Sequence, residues 1–151
     1  MIVYLGSDHG GFYLKEKVEA HLAKAGVTVE DVGNKVLDPS DDYPQFAFMA
    51  ATKVLGSTDA DPRAILICKG GQGMAIAANR IRGIRAVVVA DEEEAKMSRN
   101  DNDANVLSLP SRVLEEDPQK AFSIIDLWLK TPFSRAERHV RRLREIEEVY
   151  G

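Results

Sequence analysis

Short apolar runs alternate with amphipathic segments along the whole chain. Ile2–Gly6 reads as a buried strand. Leu14, Val18, Leu22 and Ala25 then recur at helical spacing, and Gly26 ends that helix. Val27–Val32 reads as a second strand, followed by a polar loop over Gly33–Tyr43 that carries Pro39 and the acids Asp38, Asp41 and Asp42. Pro44 opens the next helix, with Ala47, Ala50, Ala51 and Val54 on one face. Ala64–Cys68 is a strongly apolar third strand, which leads into the turn Gly70-Gly71-Gln72-Gly73 and a short helix over Met74–Arg80. Ile84–Ala90 reads as a fourth strand, Asp91–Asn100 as a helix and Asn105–Leu109 as a fifth strand. Asp117-Pro118 supplies an N-cap and a first-turn proline to a helix whose apolar stripe is Ala121, Ile124, Ile125 and Trp128. Thr131-Pro132 breaks that helix, and Ser134 is expected to cap a final basic one.

Strands that alternate with helices need crossover connections, so the pattern predicts an α/β fold with a mostly parallel sheet. Ligands of such sheets bind at the carboxyl ends of the strands. That directs attention to Ser7–Gly11 and Cys68–Gly73. A length of 151 residues predicts one domain, spanning 1–151, able to bury a core without staples. The net charge of −4 gives no reason to expect a nucleic acid or a membrane surface as partner, so an anionic ligand must meet a local basic patch. With Cys68 the sole cysteine, no disulfide can form within the chain, and a reducing compartment fits. The apolar run at Met1–Leu5 is too short for a signal peptide, and no stretch approaches the ~20 apolar residues of a membrane span. A soluble cytoplasmic protein is expected.

Cys68-Lys69-Gly70-Gly71-Gln72-Gly73 combines a thiol at a strand end with a glycine turn and a helix start. Glycines let the backbone approach a ligand and turn N–H groups inward, and a helix N-terminus favours both an anion and a thiolate. A base and an anion hole would lie side by side. The alternative is a buried inert cysteine before a tight turn. The spacing matches neither the phosphate loop of the NTPases nor the dinucleotide fingerprint. At the end of the first strand, Ser7-Asp8-His9-Gly10-Gly11 offers an acid and an imidazole for sugar hydroxyls or phosphate. Asp8 is also placed to cap the following helix, a role that does not require His9. On the C-terminal helix Arg135, Arg138 and Arg142 share one stripe, while Val140, Leu143, Ile146 and Tyr150 occupy another. Convergent guanidiniums suit phosphate, although Glu137, Glu145 and Glu148 also fit a solvated charged helix. The polar segment Ser98–Asn105 fits a solvated turn as well as a site.

Taken in order, these segments resemble the type B ribose-5-phosphate isomerases and their galactose-6-phosphate isomerase relatives. The likeness runs from Gly6-Ser7-Asp8-His9-Gly10-Gly11-Phe12 through Asp42-Tyr43-Pro44, the run from Cys68 to Asn79, Gly83-Ile84-Arg85-Ala86, Asn102–Leu107 and Ser111-Arg112 to Arg138-His139 and Arg142. It implies a three-layer Rossmann-like fold with a five-stranded sheet and a protruding C-terminal helix. It also implies a homodimer or dimer of dimers with the active site across the dimer interface, and no metal or organic cofactor. Cys68 then corresponds to the base moving a proton between C1 and C2. The backbone of Gly70, Gly71, Gly73, Met74 and Ala75 corresponds to the anion hole. Asp8, Tyr43 and Asn102 correspond to sugar contacts, and His9, Arg112, Arg138 and Arg142 to the phosphate group's ligands. Met74 stands where one branch of the family has a carboxylate base, which favours the cysteine branch.

Two positions depart from the family pattern. Asp101 stands where the family usually has a ring-opening histidine, and Gly70 where it often has serine or threonine. Three readings stay open for ring opening: Asp101 in the histidine's place, His9 or His139 instead, or a natural substrate with different ring chemistry or none. The expected reaction interconverts ribose 5-phosphate and ribulose 5-phosphate, a step of pentose phosphate metabolism. Another sugar phosphate, such as a hexose 6-phosphate, or mere sugar-phosphate binding are the alternatives.

Overall fold

The structure, a computed structural model, describes residues 1–149; Tyr150 of the expected apolar stripe and the end of the expected domain lie outside the described residues. Five strands form one parallel sheet in the order β2-β1-β3-β5-β4. They are β1 (Ile2–Ser7), β2 (Thr28–Asp31), β3 (Arg63–Cys68), β4 (Ala86–Val88) and β5 (Val106–Pro110). Between them run α1 (Phe12–Lys24), α2 (Tyr43–Gly56), α3 (Gln72–Ala78) and α4 (Glu92–Asn102); α5 (Ser111–Leu114), α6 (Pro118–Lys130) and α7 (Glu137–Glu148) follow β5. This is the three-layer, Rossmann-like arrangement expected.

Central strands are buried on both faces, and the two-residue period decides which core each side chain joins. On β3, Ala64, Leu66 and Cys68 pack toward α2 and α3 with Phe46, Ala47, Met74 and Ala78. Ile65 and Ile67 face Leu14, Val18, Ile124 and Trp128 on the other side. Cys68 thus ends its strand on the α3 side, where the chain turns. No helix among the described residues is long and apolar enough to cross a membrane.

Several expected boundaries shift for local reasons. The fourth strand keeps only Ala86–Val88, because it is an edge strand paired with β5 alone. Ile84 instead closes a turn onto the Ile81 carbonyl, and the Arg85 N–H donates to the Asn105 side chain. The second strand is likewise trimmed to Thr28–Asp31. Asp117 caps α6 as expected, accepting from the Lys120 N–H. The expectation for Ser134 is corrected: Ala136 occupies the N-cap of α7, while Ser134 Oγ accepts from the Ala136 N–H and meets His139 Nδ1 at 2.8 Å. Arg135 precedes the helix with φ of +56°, so it does not share a helical stripe with Arg138 and Arg142.

Candidate active site

The carboxyl ends of β1, β3 and β5 meet in one place, and hydrogen bonds between the turns hold them there. After β1, Asp8 caps a single 3-10 turn over His9–Gly11, its Oδ1 accepting the Gly11 N–H at 3.2 Å. Ser7, just before it, is buried with its hydroxyl unpaired among the described residues. Gly10 abuts the next turn, where a Cβ would sit 3.3 Å from the Lys69 nitrogen. Ser111 Oγ donates to the Gly10 carbonyl at 2.6 Å, and the Arg112 N–H donates to the Lys69 carbonyl at 3.0 Å. Asp8, His9, Cys68 and Arg112 therefore belong to three turns that brace one another.

The cradle beside Cys68 is built from backbone. Gly71 N–H donates to Cys68 Sγ at 3.1 Å, and the residue is buried, only 5% exposed, at the edge of the core formed with α2 and α3. Gly71 has φ of +79°, and a Cβ there would lie 3.0 Å from Val88 Cγ1, so both conformation and space call for glycine. Ser108 Oγ steadies the turn from below, donating to the Gly71 carbonyl at 2.6 Å. The N–H groups of Gln72, Gly73 and Met74 open α3 and have no backbone acceptor among the described residues. The Ala75 N–H is not part of the cradle, a correction to the expected anion hole: it donates to the Gly71 carbonyl at 3.2 Å as α3's first internal bond. The Met74 side chain lies wholly within the core, leaving only its N–H to face a ligand. Tyr43 packs over Gly73, where a Cβ would come within 2.7 Å of its ring. Gln72 folds back over Gly70, its carboxamide oxygen lying where a side chain at Gly70 would go.

The electrostatics centre on His9. Its Nδ1 lies 2.8 Å from Asp41 Oδ1, and its backbone N–H donates to the same oxygen at 2.9 Å. The bond to Asp41 is the main reason the imidazole's pKa is raised. Asp8 is also pushed above the ordinary carboxylate range, chiefly by burial. Nearby Asp41 adds to that shift, while His9 and the Gly10 and Gly11 N–H groups oppose it. Asp8, His9 and Asp41 gather donor atoms within 4.8 Å, yet His9 and Asp41 are already bonded to each other. Asp41 was legible only as one acid of a polar loop; nothing in its spacing marks it as the partner of His9.

Asp101, Asn102, Arg138 and Arg142 lie elsewhere. α4 runs back from the carboxyl end of β4, so its last residues Asp101 and Asn102 sit by the start of β5. α7 lies along that same end: the Ser134 N–H donates to the Asn100 carbonyl, and Glu147 pairs with Arg85 at 3.5 Å. Buried His139 brings Nε2 to 3.7 Å from Asp101 Oδ1. Arg138 and Arg142 are exposed. Within one chain the expected site is thus divided between opposite ends of the strands.

A thiol, a set of open backbone N–H donors and an acid-bound imidazole at the carboxyl ends of a parallel sheet are chemistry suited to a small anionic molecule. The chain matches the model of the ribose/galactose isomerase family over residues 3–146. Ribose-5-phosphate isomerase B of Escherichia coli is 40% identical over 147 residues, 97% of this chain and 95% of that protein. The structure of ribose-5-phosphate isomerase B from Clostridium thermocellum superposes with a TM-score of 0.92 at 41% identity, covering 99% of this chain and 97% of that one. The structure of ribose-5-phosphate isomerase B from Mycoplasma genitalium with bound ribulose-5-phosphate gives 0.90 at 37% identity, covering 97% and 94%. The chain belongs to the ribose/galactose isomerase family.

Proposed function

We propose that the chain interconverts ribose 5-phosphate and ribulose 5-phosphate, with Cys68 as the proton-transfer base. The observation that carries this reading is Cys68 Sγ, held by the Gly71 N–H, next to a turn whose Gln72, Gly73 and Met74 N–H groups are open, within a family of sugar isomerases. In the open-chain aldose the Cys68 thiolate removes the C2 proton. The electron pair forms the C1=C2 bond of an enediolate, and the charge develops on O1. The Gln72, Gly73 and Met74 N–H groups are placed for that oxygen, where preorganised donors act most strongly. Cys68 returns the proton to C1 as the O2 proton transfers to O1, leaving the ketose. Asp8 and Tyr43 take the sugar hydroxyls, and His9 with Arg112 takes the phosphate, which anchors the reacting carbons.

The remaining residues enter from a second copy. A six-residue strand spans about 17–20 Å, so Asn102, Arg138 and Arg142 of one chain cannot join that chain's own Cys68. A homodimer in which α4 and α7 of one protomer meet the carboxyl-end turns of the other completes the site. Tyr43, Phe48 and Met49 on α2 and Ile76 on α3 are exposed apolar side chains available to such a contact. Asp101, with His139 behind it, takes the ring-opening role. A dimer of dimers is a further assembly, which would need a second surface left free by that contact. A six-carbon sugar phosphate is the second reading; Gly70 carries no side chain, but the Gln72 carboxamide oxygen fills that place, so a longer sugar would need Gln72 to swing aside.

The test is conversion of ribose 5-phosphate by the purified protein beside Cys68→Ala. The expected result is turnover that falls about 10²–10⁴-fold in the variant. Turnover of a hexose 6-phosphate alone would replace the pentose reading. Binding of both sugars with no turnover would contradict the enzyme.

A further inference from the structure

We propose that Asp41 is the positioning residue of the phosphate subsite, clamping His9 so that its imidazole meets the phosphate through Nε2 as a cation. The inference rests on the reading of His9 as a phosphate ligand and adds a residue that reading does not contain.

The geometry is that of a clamp rather than a surface ion pair. Asp41 Oδ1 receives both the His9 backbone N–H at 2.9 Å and Nδ1 at 2.8 Å, so ring and backbone are tied to one atom. Asp41 Oδ2 accepts the Asn34 side-chain N–H at 3.0 Å. The carboxylate is only 3% exposed, although its neighbours in the loop, Ser40 and Asp42, are exposed. The imidazole is 43% exposed. With Nδ1 committed to the carboxylate as a donor, the ring keeps its other nitrogen, Nε2, for a ligand.

Charge gives the clamp a purpose. Asp8 from the end of β1 and Asp38 and Asp41 from the loop act on His9, and Lys69 follows β3 on the adjoining turn. A phosphate monoester is largely dianionic at neutral pH. Beside a neutral imidazole it would meet Asp8 and Asp41 as like charges. Beside an imidazolium held by Asp41 it meets a donor and a positive charge. His9 is raised above the ordinary histidine value, so it stays charged to a higher pH and loses its proton only as pH rises through that raised value.

The experiment follows the His9 imidazole by ¹⁵N–¹H NMR against pH, with and without inorganic phosphate, in the wild type and in Asp41→Asn. Expected are a wild-type midpoint above about 6.5, a lower one in the variant, and phosphate binding weakened about tenfold at pH 8 but little at pH 6. KM for the sugar phosphate should rise by the same factor at pH 8 with kcat nearly unchanged, and Asp41→Glu should restore part of the loss. An unchanged His9 midpoint in Asp41→Asn, with phosphate still bound, overturns the role of Asp41 and leaves the isomerase reading intact. An Asp41-dependent midpoint that ignores phosphate overturns the subsite itself. Should Asp41→Asn fail to fold, the wild-type titration decides alone, since a midpoint at or below about 6.5 contradicts the clamp.

Discussion

Replacing Gly11 by alanine should damage stability and activity together, because Gly11 is where the Asp8–His9 turn presses on β3. A Cβ at Gly11 would lie 2.3 Å from the Ile67 carbonyl oxygen, 2.6 Å from its carbon and 2.7 Å from Ile67 Cγ2. Carbon–oxygen contacts are ordinarily about 3.3 Å or more, so the turn must retreat by roughly 1 Å. The obstacle is backbone of a central strand and cannot swing aside. Overpacking together with a weakened Asp8 cap costs about 2–4 kcal/mol. For a chain of this size that is a fall in Tm of roughly 4–16 °C. The retreat also moves Asp8 and His9 away from Cys68, and a misplacement of that order costs about 10²-fold in rate. Urea unfolding and steady-state turnover of Gly11→Ala, beside Gly10→Ala, measure both effects. At Gly10 a Cβ meets nothing closer than 3.2 Å, so that variant should lose under about 1 kcal/mol. A Gly11→Ala protein within about 0.5 kcal/mol of wild type would refute the reasoning.

Other substitutions probe different parts of the account. Lys15, 1% exposed, bonds Asp31 at 2.6 Å, so Asp31→Asn strands a buried ammonium and should cost about 3–5 kcal/mol in urea unfolding at pH 7. Burial alone would raise the Asp31 pKa, but bonds from Lys15, the Gly33 N–H and Lys35 outweigh it and lower it. That stability is present above the ordinary carboxylate pKa of about 3.9 and is lost as pH falls through the lowered value, so the gap between variant and wild type should narrow in acid. Asp8 behaves oppositely. Its raised pKa makes the ionised form oppose folding as pH rises, so Asp8→Asn should melt no lower than wild type at pH 7 while its KM rises. If the site is shared between protomers, mixing inactive Cys68→Ala with inactive Arg138→Ala/Arg142→Ala should restore about one quarter of wild-type activity after subunit exchange; no recovery despite confirmed exchange would contradict it.

Much of this architecture was legible because burial and chemistry leave different marks. The apolar run Ala64–Cys68 could be read as a central strand because both its faces are covered. Asp117-Pro118 announced α6 because capping is local chemistry. Reading failed where tertiary contacts decide. Ile84 and Val89 are apolar like their neighbours in β4, yet the former belongs to a turn and the latter's N–H bonds Ser108 beyond the strand. Ser134 has the right chemistry for a cap but serves His139 and the Ala136 N–H instead. α5, a single turn that orients Arg112, carries too few residues to show a period. Cys68, the glycine turn, Asp8 and His9 were found together because they follow neighbouring strand ends. The pairing of His9 with Asp41 spans 32 residues and depends on how the loop folds back. The separation of Asp101 from Cys68, by contrast, follows from the expected parallel sheet, because Cys68 ends β3 whereas Asp101 precedes β5.

The most direct test of the central claim is proton transfer itself. Ribose 5-phosphate incubated with the protein in D₂O should give ribulose 5-phosphate carrying solvent deuterium at C1, followed by NMR. The same exchange should vanish in Cys68→Ala while phosphate binding at His9 persists. Exchange that continues at the wild-type rate in a folded Cys68→Ala protein would show that another group moves the proton, and the account of Cys68 as the base would be wrong.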